Sequence, residues 1–359
     1  MKQGRTLTEL AIEIDRQNKM KKDYLIDTRR LTLDSVTDGT TLTLADPDNG
    51  LQIVTTPNEL AHRQIGTALK IPAAYYDRML AEYPELLTAN VNGWFRKNPS
   101  ERMIRTLDGT TRAFLSNRYR RIDNYEIAET VLPIIGEMPD AIFESCEVTD
   151  THMYIKVVNP RMTAEVTPGD VVQSGMIITN SEVGLSSVKI QPLVYRLVCS
   201  NGMVVNDAAT RKYHVGRINS ADSNFELFAD DTVQADDRAF MLKVRDTVRA
   251  TVDDVRFQLV VDKMREAKGI KITTTEIPRM IEMAGSDFGY TKKEGGGILD
   301  HLIRGGDFSL YGFANSITRY SQDVESYDRA TELESIGYTV MTMPKGTWKK
   351  LNEKAEEAA

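Results

Sequence analysis

Met103-Ile104-Arg105-Thr106-Leu107-Asp108-Gly109-Thr110-Thr111-Arg112-Ala113-Phe114-Leu115 is the stretch that decides the fold. Two runs of strand-forming residues flank Asp108-Gly109, a dipeptide whose residues tolerate the positive φ angles of a tight hairpin turn. Hairpins lead to antiparallel sheets, so this stretch argues against a doubly wound parallel fold. Downstream, Asp123 with Glu126 three residues on marks a helix start through Ile127, Val131 and Leu132. Ala141–Val148 and His152–Val158 then flank a Thr149-Asp150-Thr151 turn, and Val171–Thr179 reads as a long apolar strand. Val188–Cys199 and Met203–Asn206 are expected to pair across Asn201-Gly202. The sum is an α+β fold: a central antiparallel sheet of hairpins with helices, followed by a mainly helical C-terminal part.

Upstream, Leu31-Thr32-Leu33 and Leu42-Thr43-Leu44 alternate at strand period, with turns at Asp38-Gly39 and Asp48-Asn49-Gly50. Thr56-Pro57-Asn58-Glu59 reads as a capping box opening a helix that Pro72 ends; a second helix runs from Ala73 to about Tyr83, where Pro84 stops it. Beyond Gly216, Val244, Val248, Val252, Val255 and Leu259 recur at helical spacing in one helix ending near Gly269. Pro278–Ala284, Ile298–Arg304, Phe313–Ser326 and Asp328–Ile336 read as helices, with Gly295-Gly296-Gly297 and Gly305-Gly306 as breaks and a frayed tail from Trp348. The expected division is 1–90 (strands and short helices), 91–217 (β-rich core) and 218–359 (mainly helical).

At 359 residues, 41% apolar and 27% charged, the chain has the composition of a folded protein with room for two or three compact units. No apolar run is long enough for a membrane span and Met1–Asp15 has no signal-peptide pattern, so a cytoplasmic location is expected. Cys146 and Cys199, 53 residues apart, fit buried thiols in a reducing compartment. The four histidines are scattered without ligand spacing, and Gly295-Gly296-Gly297 lacks the Lys-Ser/Thr of a phosphate loop, so no metal or cofactor is expected. Glu144, Glu147, Asp150, Glu165 and Asp170 could supply a metal-dependent nuclease, a reading kept as a lesser alternative.

The net charge is −7, yet Val91–Tyr125 holds eight Lys/Arg against three Asp/Glu, and Lys189–Arg217 five against one. Arg96, Lys97, Arg112, Arg118, Arg120, Arg121, Arg211 and Lys212 are candidate phosphate contacts; Tyr119 and Tyr213, with Trp94, are candidate base-stacking platforms. The competing reading is a sheet face whose arginines pair with carboxylates of the same chain. By contrast, residues 222–255 carry nine acids against four bases, an acidic helical part that could contact a basic surface or a host protein.

The segments Leu60–Ile65 through Ile71–Tyr76, Leu115–Asn124, Asn180–Gly184, Tyr195–Met203 and Ala314–Arg319 resemble a phage- and plasmid-encoded family of unknown function named for its occurrence on mobile elements. The resemblance implies a mobile-element origin and the cytoplasm of a bacterial host, and carries no activity with it. A looser similarity, in element order and charge, is to the Rad52-like single-strand annealing proteins, whose basic groove holds a strand backbone. Together these point to a nucleic-acid-binding protein, single-stranded DNA favoured, acting in binding or annealing during recombination or replication as a homo-oligomer. The alternative is an interaction protein that engages a host factor.

Overall fold

The computed structural model describes residues 1–36, 39–46, 50–119, 121–206, 214–215, 230–251 and 253–357. The chain folds into two compact units: residues 12–125 with 181–186, and residues 1–11, 126–180 and 187–359. The division expected near residue 217 lies outside the described residues.

The smaller unit follows helix α1 (Leu7–Met20), within which the division between the units falls. It holds β1 (Lys22–Asp27), β2 (Leu31–Val36), β3 (Gly39–Ala45), β4 (Gln52–Pro57), helices α2 (Glu59–Ala68), α3 (Ala73–Glu82) and α4 (Pro84–Lys97), then β5 (Glu101–Leu107) and β6 (Thr110–Ser116). The six strands form one sheet in the order β1-β5-β6-β4-β3-β2, antiparallel except for the short parallel pairing of β4 with β6. The β5–β6 turn is as expected: Asp108 and Gly109 have φ of 50° and 78°, the two positive values of a type I′ hairpin.

One face of this sheet packs Ile26, Leu33, Leu42, Leu44, Ile104 and Phe114 against Ile65, Tyr76, Leu87, Val91 and Phe95 of the three helices. The N-cap of α2 is Asn58, whose side chain accepts from the Ala61 N–H, and not Thr56. Pro84 does not end a helix without successor; it is the first residue of α4, where its missing N–H costs nothing. Trp94-Phe95-Arg96-Lys97 is consequently the last turn of a helix.

Besides residues 1–11, the larger unit holds most of α5 (Asn124–Gly136) and an antiparallel sheet of β7 (Ile142–Val148), β8 (Met153–Glu165), β9 (Val171–Asn180), β10 (Val188–Arg196) and β11 (Asn201–Val204), in the order β11-β10-β9-β8-β7. A short β12 (His214–Val215) also pairs with β10. Asn201-Gly202 is not the β10–β11 turn, which lies at 197–200; both residues are inside β11, opposite Arg196 and Tyr195. A Cβ on Gly202 would stand 2.5 Å from the Met1 side chain, so close packing accounts for that glycine.

Among the described residues seven helices follow: α6 (Asp230–Thr251), α7 (Asp254–Gly269), α8 (Ile277–Phe288), α9 (Lys292–Gly305), α10 (Leu310–Tyr320), α11 (Tyr327–Met341) and α12 (Lys345–Glu357). The single helix expected over 244–269 is two, restarted by Asp253, whose carboxylate caps the Val255 and Arg256 N–H groups. Gly295-Gly296-Gly297 is no break either. Thr291 and Glu294 form a capping box for α9, and a Cβ at Gly297 would lie 2.1 Å from the Tyr320 ring. Helix α10 is buried along nearly its whole length, and α12 is anchored by Trp348, whose indole N–H donates to the Lys271 carbonyl at 3.0 Å; the tail is not frayed there. No described helix is long and apolar enough to cross a membrane.

Candidate nucleic-acid interface

Strand alternation sends the basic residues of the hairpin to opposite faces of the sheet. Asp23 and Arg105 are cross-strand partners on β1 and β5, on the face away from the α2–α4 core. Asp23 accepts from Arg105 Nε and Nη2 at 2.8 and 3.0 Å, Asp123 from Nη2 at 2.7 Å, and the Glu182 carbonyl from Nη1 at 2.8 Å. Lys21 closes on Asp123 at 2.6 Å, and Arg112 on Glu182 at 2.5 Å; the other Glu182 oxygen accepts the Asn124 N–H at 2.7 Å. Three cations thus meet three carboxylates, with Arg105 fully buried. Burial pulls the Arg105 pKa down, but Asp123 and Asp23 outweigh it and hold it above the ordinary arginine value. Burial likewise pushes Asp123 up, and Arg105 and Lys21 overcome it, leaving the carboxyl below its usual range.

Arg112 therefore does not face solvent as expected: it is 7% exposed and committed to Glu182. Tyr119 is also a packing residue. Its ring lies against Leu115, Val183 and the backbone at Gly184, and its hydroxyl donates to the Ser181 carbonyl at 3.3 Å. Arg121 is exposed but 3.2 Å from Asp23, and Arg118 is exposed with no carboxylate at ion-pair distance among the described residues. Arg120, Arg211, Lys212 and Tyr213 lie outside the described residues.

The opposite face of the same sheet holds a different arrangement. Helix α4 buries Leu87, Val91 and Phe95 at four-residue spacing, with Phe95 stacked on Phe114 at 5.9 Å. This leaves Trp94 at the surface, 37% exposed, with Lys97 one turn on and its Nζ 5.5 Å from the indole centroid. Arg96, two residues after Trp94, projects from another side of the helix, exposed. Trp94 borders a cleft of about 250 Å³ lined also by Thr28, Leu69, Lys70, Asn98, Ser100, Arg102 and Phe114.

Arg102 sits across this cleft. Its Nε donates to Ser100 Oγ at 3.1 Å and its guanidinium lies 5.7 Å from the Phe114 centroid. Burial draws its pKa down from the arginine value, and no described carboxylate lies within ion-pair distance. It stays a cation at neutral pH. Lys70 ends α2 in a Schellman motif, its N–H on the Thr67 carbonyl at 3.1 Å and that of Ile71 on Gly66 at 2.9 Å. It has φ of 58°, a region that costs a lysine about 1 kcal/mol. The C-termini of α2 and α4 each bring roughly half a negative charge to this end of the unit, against three full positive charges on Lys70, Lys97 and Arg102. The cleft is net positive, half apolar and aromatic at its mouth.

Lys70 was not singled out by sequence reasoning. The usable signal was Pro84: taken as a first helical residue it puts Trp94 and Lys97 one turn apart on one helix face.

In the larger unit, Asn201 Nδ2 donates to Thr318 at 2.5 Å and lies 3.4 Å from Asn315 Oδ1, joining β11 to α10 in the core. Lys156 and Glu334 form a fully buried pair at 2.7 Å. Of the acids weighed for a nuclease, Glu144 accepts from Tyr195, Glu147 pairs with Arg5, and Asp170 is held by Arg196 and Tyr311. Among the described residues no group of three or more His, Cys, Asp or Glu is placed to hold a metal ion. Cys146 is buried, its thiol pushed up to about 12, and Cys199 is half-buried.

A family model described as a domain of unknown function (DUF932) matches residues 113–344. No curated protein and no solved structure matches the chain.

Proposed function

The chain belongs to the DUF932 family, for which the match supplies no activity, and from the chemistry of its smaller unit we propose that it binds single-stranded nucleic acid. The observation that carries this reading is the cleft at the end of α4, where Trp94, with Lys97 beside its ring, shares a wall with Lys70 and Arg102 and no carboxylate lines that wall among the described residues. Cations without a carboxylate partner keep their charge for a ligand, and an indole offers every base a stacking face worth about 1–3 kcal/mol. Arg105 and Arg112 are left out of the reading because their charge is already neutralised inside the unit. Single strands are favoured over duplex because stacking on Trp94 needs an unstacked base. DNA annealing or protection in a phage or plasmid setting, in the bacterial cytoplasm and by a homo-oligomer, is the fuller form of the proposal, resting on the sequence resemblance.

Gel shifts with single- and double-stranded oligonucleotides at 50 and 200 mM salt test it. Three phosphate contacts give a slope of about −2 in log affinity against log salt, close to a twentyfold loss over that range. Salt-insensitive binding, or equal affinity for duplex, counts against it. A second reading, a partner protein docking on the acidic helical part, is favoured by Val255 and Leu259, which stand exposed one turn apart on α7. Nuclease-resistant capture of a defined host protein, lost in V255D/L259D, supports that reading.

A further inference from the structure

Deepening the strand-binding reading, on which it rests, we infer that the cleft takes one unstacked nucleotide with its phosphate, so that a nucleoside 5′-monophosphate is its minimal ligand. The volume sets the first limit. At about 250 Å³ the cleft is smaller than the pockets that enclose drug-sized ligands, which leaves room for a single base and not for two stacked ones. Its wall supplies both halves of a nucleotide's chemistry. Trp94, Leu69, Ala68 and Phe114 form the apolar part, against which a base plane is desolvated.

Arg102 supplies the anion site. Its guanidinium is held in place by Ser100 through Nε and by the Phe114 ring, which leaves the terminal nitrogens as a fork matched to two phosphate oxygens. Lys70 adds a second cation at the wall. Asn98 and Ser100 place an amide and a hydroxyl at the same wall, groups that can meet the edge of a base. None of the lining residues is acidic, and the partial negative charge of the α2 and α4 C-termini is outweighed by Lys70 and Arg102.

The chain has two tryptophans, Trp94 and the buried Trp348, so W348F leaves Trp94 as a reporter inside the site. The full-length W348F protein is titrated with a nucleoside 5′-monophosphate, with the same nucleoside lacking phosphate, with inorganic phosphate and with a single-stranded oligonucleotide. The monophosphate is expected to quench Trp94 and to displace the oligonucleotide. The nucleoside should bind at least tenfold more weakly, and inorganic phosphate should not quench. R102A should weaken the monophosphate at least tenfold, and R102K, which keeps the charge but loses the fork, should fall between; K70A, at an exposed site where the fold is not at stake, should weaken the monophosphate too.

If the oligonucleotide binds in an Arg102-dependent way while the monophosphate at millimolar concentration neither quenches nor displaces it, the one-nucleotide assignment is wrong and strand binding stands. If the monophosphate binds and the oligonucleotide does not, the cleft assignment stands and strand binding falls. Equal affinity for nucleoside and monophosphate overturns the anion site.

Discussion

Replacing Arg105 by methionine tests whether the basic hairpin is held together by internal ion pairing. The side chain has no exposure and donates to Asp23 twice, to Asp123 and to the Glu182 carbonyl. Among the described residues its loss leaves Asp23 with the outlying Arg121 contact at 3.2 Å, while Asp123 keeps Lys21 at 2.6 Å. Removing one partner of a buried pair costs about 3–5 kcal/mol. Because the Asp23 and Asp123 side chains retain 11% and 16% exposure, water relieves part of this, and the lower end, about 3 kcal/mol, is expected. The chain has two compact units, so unfolding is followed by urea titration of Trp94 fluorescence in the W348F background, which reports the smaller unit alone. With a slope near 2 kcal/mol/M, the midpoint should fall by about 1.5 M. R105M/D23N should recover part of that loss, since it removes a stranded charge. The sign with pH is fixed by Asp123, whose folded pKa is depressed. Its contribution is present above the ordinary carboxyl pKa and is lost as pH falls through the lower folded value. The R105M deficit should therefore shrink in acid. A midpoint shift below about 0.5 M at neutral pH, or a double variant no better than the single one, would refute the argument.

Three further outcomes follow from the same structure. His62 is buried between Thr40 and Tyr76, its ring nitrogens 3.0 and 2.8 Å from the two hydroxyls, and burial lowers its pKa to about 4. The unfolded chain therefore binds the proton more readily, and about 3 kcal/mol of stability present above pH 6.5 should be lost as pH falls to 4; H62Q should flatten that limb in a pH series of urea midpoints. K70G relieves the left-handed lysine and should raise the stability of the smaller unit by up to about 1 kcal/mol while weakening oligonucleotide binding several-fold, a split readable by urea titration and anisotropy. K156M strands the Glu334 carboxylate in the core of the larger unit and should cost about 3–5 kcal/mol by calorimetry, with K156M/E334L recovering most of it.

Local chemistry made much of the fold legible. Asp108-Gly109 announces its hairpin because only a few residue types accept two successive positive φ angles, and the β7–β9 meander follows from alternation and turn residues. What stayed hidden depends on partners distant in the chain. Asn201-Gly202 has the chemistry of a turn, yet close packing against Met1 uses the glycine inside a strand. Gly295–Gly297 has the composition of a break, yet a capping box and the Tyr320 ring keep it helical. The basic stripe was visible as composition, but its division was not. A β-bulge at Arg105/Thr106 and strand parity sent Arg105 and Arg112 to Asp23, Asp123 and Glu182, residues up to 82 positions away. On the other side of the sheet Lys97 and Arg102 kept their charge and Trp94 its place at the surface.

The most direct test of strand binding is the affinity of a fluorescein-labelled single-stranded oligonucleotide for the full-length protein and for K70A/K97A/R102A, by anisotropy at 100 mM salt. The variant's urea midpoint is checked in parallel. Three cation contacts at about 1 kcal/mol each give a loss near a hundredfold with the smaller unit still folded. An affinity unchanged within threefold in the folded variant would contradict the assignment of the cleft.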